Sequence, residues 1–427
     1  MNLQPRHRAG ERMIWIYLSL GAVKTMNLEL HLLQNFAPSC LNRDDTNSPK
    51  DCRFGGFRRA RISSQCIKRA IRQTFTSSGL LPVEDTAVRS KRLVAEIAGA
   101  LGDMSTDGTE IQRVIETALA SQKLKVDDGQ TQYLLFLGRR EIAGLVGVIR
   151  QYWGQLAAVA AGDAGAEETP AAATPKKSAR KAKAGKSAAV PREVTQAVLA
   201  VLDGGRAADL ALFGRMVADL PDRNIDAASQ VAHAISTNKV DMEMDYFTAV
   251  DDLKTRAEDS GAGMLGTVEY NSSCFYRYAN INIPQLLRNL QGDQDLAVRT
   301  INAFIRSSVS AIPTGKQNTF AAHNPPSAVL AVVRRTGFWS LANAFERPIR
   351  PDGRQSLVEA SISALDGYWG RLVDGFGADE IVAAGFFALN DVDVSRLAAY
   401  RCSTMAEVLG KVGTAVTGVA AEAGVAQ

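Results

Sequence analysis

The sequence predicts an α+β fold, and three observations predict it. A strand-like alternation opens at Met26, apolar residues recur at helical spacing between residues 83 and 161, and strand-like texture returns after Ala232. Strands at both ends with helices between imply a core sheet assembled from distant parts of the chain. The 427 residues, 46% of them hydrophobic, suffice for two or three packed units and are too apolar for a disordered chain.

The elements follow in order. Residues 1–25 carry Arg6, Arg8 and Arg12 before a short apolar run, imitating a secretory leader. The run is about half the roughly 18 residues of a membrane span, and no clean small-residue cleavage site follows. This segment is therefore read as an upstream extension or a misplaced start. In MNLELHLLQNF, Leu28, Leu30 and Leu32 alternate with Asn27, Glu29 and His31, as in a half-buried strand.

Next comes FGGFRRARISSQCIKRAIRQTF. Gly55-Gly56 makes a turn, Arg58, Arg59 and Arg61 line an extended stretch, and Ser63 or Ser64 caps a helix. Ile67 and Ile71 share one face of it, and Lys68 and Arg72 another with Arg69 beside them. Between residues 83 and 161, Ile111, Ile115 and Leu119, then Ile142, Leu145, Val146 and Ile149, mark a helical region that resumes at 203–213. VDMEMDYFTAVDD and LGTVEYNSSCFYRYANINI read as strands, 285–290 and 295–312 as helices, 328–333 as a strand and 357–373 as an amphipathic helix.

The net charge of +4 is unevenly placed. From Cys40 to Phe75 nine basic residues face three acidic ones, and from Asp163 to Arg192 seven face three. With +2 in residues 1–39, those excesses of +6 and +4 leave about −8 elsewhere. Confined positive charge points to a polyanion such as nucleic acid. The second basic segment is built of Ala, Lys, Pro, Gly, Ser and Thr, and is expected to be a disordered linker or loop insertion. Its Gly185-Lys186-Ser187 is no phosphate-binding loop, because Arg180 stands where the first glycine is required. The helix start at Ser63, with a hydroxyl, the Gln65 amide and three cations, is a cradle for successive phosphates.

Enzyme chemistry finds little support. Five cysteines include no C-x-x-C pair, and the four histidines lie in no hydrolase or zinc motif. Asp44-Asp45 and Asp251-Asp252 could hold a divalent metal only if brought together in space. Neighbouring strand residues face opposite ways, and carboxylates among arginines are explained by ion pairing. A generic DNA-binding protein would use the same cations, but no helix-turn-helix or zinc pattern supports it. Residues alone read Met216 as core and leave Phe247 packing under its own hairpin.

The stretch SCLNRDDTNSPKDCRFGGFRRARISSQCIKRAIR, residues 39–72, closely resembles the start of the CasC family, the backbone subunit of the type I-E CRISPR surveillance complex Cascade. ALFGRM, AHAIS with VDMEMDYFTAVDD, FYRYANINI, GKQNTFAAHNP and LANAFE extend the likeness collinearly to about residue 394. The resemblance implies a noncatalytic protein without cofactor, with a modified RRM-like (ferredoxin-like) palm, a helical fingers insertion and a β-hairpin thumb. Its boundaries would be an extension 1–25, palm 26–75, fingers 76–161, a basic linker 162–192, the rest of the fingers 193–236, thumb 237–271 and second palm part 272–427. Partners implied are CRISPR RNA, target DNA paired to the guide, further copies of the chain and other Cascade subunits, in the cytoplasm and without a membrane. Arg43, Ser63, Gln65, Lys68, Arg69 and Arg72 match the family's RNA-gripping residues. Met216 matches its apolar wedge, and Tyr246, Phe247 and Val250 match thumb residues that press on the duplex and displace a base. A relative's aspartate-dependent RNA cleavage, as in type III backbone subunits, is the alternative. The basic linker and the N-terminal extension depart from the family pattern.

Overall fold

The computed structural model describes residues 26–164, 189–204, 206–249, 264–351 and 353–424. The expected extension 1–25, Val250 and Asp251-Asp252 lie outside them, as do residues 165–188 of the basic segment. Two compact units divide the chain. Among the described residues the first runs to Leu80 and resumes at Ala228–Arg288 and from Gly292, and the second comprises Leu81–Ala227 with Asn289–Gln291.

The first unit opens with β1 (Asn27–Ser39), β2 (Asp51–Phe54), β3 (Phe57–Ile62) and α1 (Ser64–Ser77). The second unit follows with β4 (Ala87–Ser90), α2 (Leu93–Ala100), α3 (Gly108–Ala120), β5 (Val126–Asp127), β6 (Gln130–Thr131), β7 (Leu135–Gly138), α4 (Arg139–Gln151), α5 (Trp153–Ala164), α6 (Arg192–Val201) and α7 (Ala208–Phe213). The chain then returns through β8 (Ser229–Val231), β9 (Ala234–Ser236), β10 (Glu243–Ala249), β11 (Met264–Asn282), α8 (Ile283–Asn289), α9 (Gln294–Ser310), α10 (Gln317–Phe320), β12 (Ala328–Arg334), α11 (Leu357–Phe376), β13 (Ile381–Ala388) and α12 (Met405–Gly424).

The predicted α+β class is what forms. In the first unit one antiparallel sheet runs β13-β12-β1-β11-β9-β3-β2, with β8 and β10 also paired to β11. Its core strands are therefore contributed from both ends of the chain, as expected. Helix α1 follows β3, α9 follows β11 and α8, and α1 and α9 pack together.

One expectation fails in detail. Strand β1 is buried on both faces, with Asn27, Glu29 and His31 as hidden as Leu28, Leu30 and Leu32. The face carrying Leu33 and Tyr276 is covered by α11 through Ile362, Leu365 and Trp369, and by Leu341 and Phe345. Alternating polarity marks here a buried polar network, not a wet face. His31 Nδ1 and the Tyr276 hydroxyl share a 2.9 Å hydrogen bond, and that hydroxyl accepts from Leu341 N–H at 2.8 Å. Glu29 accepts from Trp339 N–H, and the Arg334 guanidinium lies 3.6 Å over the Trp339 ring.

Burial disfavours charge on both titratable groups of β1. It raises Glu29 to about 7 and lowers His31 to about 3. A carboxyl whose folded value is raised stabilises fully below its unfolded value of 4.5 and loses that contribution as pH climbs to about 7. Glu29→Gln should therefore gain on the wild type across pH 4.5–7, by about 1.4 kcal/mol per pH unit in urea unfolding. A difference independent of pH would show that Glu29 is ionised in the folded protein.

The second unit has the predicted helical core, in which Ile111, Ile115, Leu119, Leu145 and Ile149 are buried together with Leu93, Ile97, Val194 and Val198. The purely helical expectation misses two short antiparallel pairs, β4 with β7 and β5 with β6. Strands of two to four residues carry too little periodicity to be seen, although Leu135 and Leu137 join the same core. Helix also extends to Ala164 and restarts at Arg192, so the linker expected at 162–192 shrinks at both ends.

Candidate nucleic-acid interface

Helix α1 begins where β3 leaves the sheet. Ser63 is its N-cap, in extended conformation, and its hydroxyl accepts from Cys66 N–H at 3.3 Å. The Ser63 N–H in turn donates to Asn42 Oδ1 at 2.8 Å, which pins the loop after β1 to the helix start. Ile67, Ala70, Ile71 and Phe75 are buried, as the i, i+4 spacing predicts. That leaves Gln65 and Arg69 exposed and Lys68 and Arg72 half-buried. Burial draws the Lys68 ammonium below its ordinary value, so an arriving anion would be met in a partly desolvated setting. Ser63 itself is buried, and its hydroxyl is committed to the cap.

Arg43 is exposed at the edge of a tight turn and bonds Asn47 Oδ1. Asp44 holds that turn, its carboxylate accepting from Thr46 N–H (3.0 Å), Thr46 Oγ1 (2.8 Å) and Ser48 N–H (3.0 Å). These bonds keep its carboxyl below the usual range. Among the described residues no group of three His, Cys, Asp or Glu is placed to hold a metal ion. Lys50, which sequence reasoning counted but did not single out, bears on both Cys66 at the helix start and His233. Arg61 bonds His233 Nδ1 at 3.2 Å.

The basic cluster is less free than its composition suggests. Arg59 is 0% exposed and donates to the carbonyls of Ser236 (2.7 Å), Thr237 (3.0 Å), Phe345 (2.6 Å) and Glu346 (3.0 Å). It holds strands and loop together and cannot contact a polyanion. Arg58 is ion-paired with Asp51. What remains around α1 is a set of cations and a helix start, suited to holding an anionic backbone without reading bases.

Strand β11 is long enough, at 19 residues, to pair with β1 in the sheet and then with β10. All seven residues of β10 are exposed. Tyr246 is 66% and Phe247 41% exposed. As neighbours on one strand they face opposite sides of the ribbon. Phe247 lies opposite Gly266, and a Cβ there would come within 2.3 Å of its ring, so the ring lies across the glycine. Phe247 thus half packs on its own hairpin, as residues alone suggested, and half faces out. Sequence reasoning missed Met244, Met264 and Leu265, all exposed on the same ribbon. The run MEMDYF, apolar at both parities, was the available signal.

In the second unit Met216 is 86% exposed, which overturns the core reading. It is displayed by a rigid support. Helix α7 ends at Gly214, at φ 76°, where a Cβ would meet Ile225 O at 2.8 Å. Arg215 and Ile225 exchange both backbone hydrogen bonds, at 2.9 and 2.8 Å. The Arg215 side chain is buried and its Nη1 donates to both Glu141 carboxylate oxygens, at 2.8 and 2.9 Å, and Glu141 also accepts from Gly138 N–H (2.7 Å) and Gly204 N–H (2.8 Å). With Arg215 and Val217 buried on either side, Met216 is the exposed residue of the three.

A family model described as CT1975-like protein matches residues 28–410. The chain belongs to the CT1975-like family. This CT1975-like chain is similar to a chain of a solved CRISPR RNA-guided surveillance complex, pre-nicking, with 29% identity and a TM-score of 0.76, covering 91% of this chain and 100% of that one. A chain of a second CRISPR RNA-guided surveillance complex matches at 25% identity and a TM-score of 0.65, covering 91% and 99% respectively. No curated protein sequence matches. Among its described residues no helix is long and apolar enough to cross a membrane.

Proposed function

We propose that this protein is the noncatalytic CRISPR RNA-binding backbone subunit of a Cascade-like surveillance complex of type I-E, a CasC protein acting in the cytoplasm. Copies would polymerise along the guide spacer beside other subunits, presenting it for pairing with target DNA. The similarity to chains of two RNA-guided complexes over 91% of the sequence supports this reading. So does the sheet order β12-β1-β11-β8 with α1 and α9 packed together, which fits an RRM-like palm. The second unit would be the fingers and the β10–β11 ribbon the thumb.

The observation that carries the reading is Met216, apolar yet 86% exposed on a buried ionic support. A chain that spends a buried ion pair on displaying one methionine is built to wedge something apart. Arg43, Gln65, Lys68, Arg69 and Arg72 would hold phosphates, with Ser63 fixing the helix start, while Met216, Tyr246, Phe247 and Val250 would interrupt base stacking. RNA cleavage gains nothing from Asp44, whose carboxylate is engaged in its turn.

Truncation separates the two roles. Met216→Ala and Phe247→Ala should each weaken target-DNA pairing by about tenfold, the scale of one lost base-stacking contact, with guide retention unchanged. This is measured by titrating complementary DNA into guide-loaded particles. Equal loss at both steps would remove the wedge role.

A further inference from the structure

The segment between α9 and β12 is used by none of the roles above, yet it is held with unusual care. Two non-glycine residues in it are left-handed, Lys316 at φ 46° and Ala321 at φ 47°, flanking the short α10. Single residues of this kind persist only where their surroundings fix them. Gly315 supplies one constraint, since a Cβ there would lie 2.3 Å from Leu41 O and 2.8 Å from Cys40 O. Gln317 Nε2 donates to Pro313 O at 3.0 Å, and Gln34 Nε2 donates to Asn324 O at 2.7 Å. The loop is thereby pressed against the backbone just before Arg43.

Its product is the position of Lys316. The lysine follows the glycine that touches Leu41, two residues ahead of Arg43, and both cations bear on the buried Cys40. Asp44 and Glu269 are the acidic groups that bear on the same place. Asp44 is committed to its turn, and Glu269 lies on β11 opposite Met244. Neither Lys316 nor Arg43 forms an ion pair with a carboxylate among the described residues.

We propose that Lys316 binds a phosphate of the same RNA strand next to Arg43, delivered there by the Gly315 contact and the left-handed backbone. The proposal rests on the backbone reading and adds a contact from a residue 273 positions downstream of Arg43 in the chain. An ammonium there acts as a point charge on phosphate, so the contact carries no base preference.

The test is the salt dependence of binding between the full chain and a labelled single-stranded RNA. Lys316→Gln should lower affinity about fourfold near physiological salt and reduce the slope of log K against log salt by about 0.7, one single-strand phosphate. Lys316→Arg should restore both. Lys316→Gly removes the left-handed penalty, so its thermal midpoint should be no lower than the wild type, yet it should lose the same slope. Unchanged slope in the glutamine and glycine variants, with normal wild-type binding, would overturn the proposal and leave the backbone reading standing. A wild-type chain that binds no RNA would overturn both.

Discussion

Replacing Lys68, Arg69 and Arg72 together with alanine should abolish RNA-dependent assembly while leaving the protein folded. The three side chains rise from α1 on the part of its surface left by Ile67, Ala70, Ile71 and Phe75, which alone are buried in that helix. Alanine is the best helix former, and the cap from Ser63 is untouched, so secondary structure has no reason to change. Surface changes of this kind usually stay within about 0.5 kcal/mol each. Binding is another matter, because each phosphate released from a single strand lowers the salt slope by about 0.7, and three would take roughly two units from it. Near physiological salt that is enough to empty a cooperative filament of RNA. The readout is size exclusion with absorbance at two wavelengths, backed by circular dichroism. Normal assembly with RNA retained in the triple variant would end the proposed grip at α1.

The second large effect is on stability. Glu141→Ala leaves Arg215 buried with its charge uncompensated and strips acceptors from Gly138 and Gly204 N–H. Breaking a buried pair from one side costs about 3–5 kcal/mol, which lowers a melting midpoint by about 10 °C in a unit of this size. The cost falls in the second unit, which contains both residues. Differential scanning calorimetry should show one transition moving down while the other holds. Pairing with target DNA should fall as well, since the support of Met216 loosens. A midpoint within about 2 °C of the wild type would mean that the ion pair is dispensable and that Met216 is displayed by its backbone alone.

These two sites also show what the sequence made legible. The α1 face was readable because a helix repeats, and four buried positions at 67, 70, 71 and 75 define what is left outside. The display of Met216 was readable only through family likeness, since an isolated methionine has no periodicity and its exposure depends on Arg215 finding Glu141, 74 residues away. The same non-local logic hid the fate of Arg59, which looks like a phosphate ligand in FRRARI and is instead consumed by four carbonyls from distant segments. It also hid the burial of β1, whose polar alternation is satisfied by Tyr276 and by the Trp339 backbone. Local pattern reports the face of an element, and only the fold reports what covers it.

Under the proposed function the chain holds a guide RNA without cutting. Co-expression with a CRISPR array and candidate partner subunits, followed by size exclusion and sequencing of retained RNA, tests it most directly, with complementary RNA and divalent metal added to the same fraction. The expected result is a large particle that holds guide-length RNA and leaves the added RNA intact. A small particle without RNA, or metal-dependent cuts at regular spacing, would contradict it.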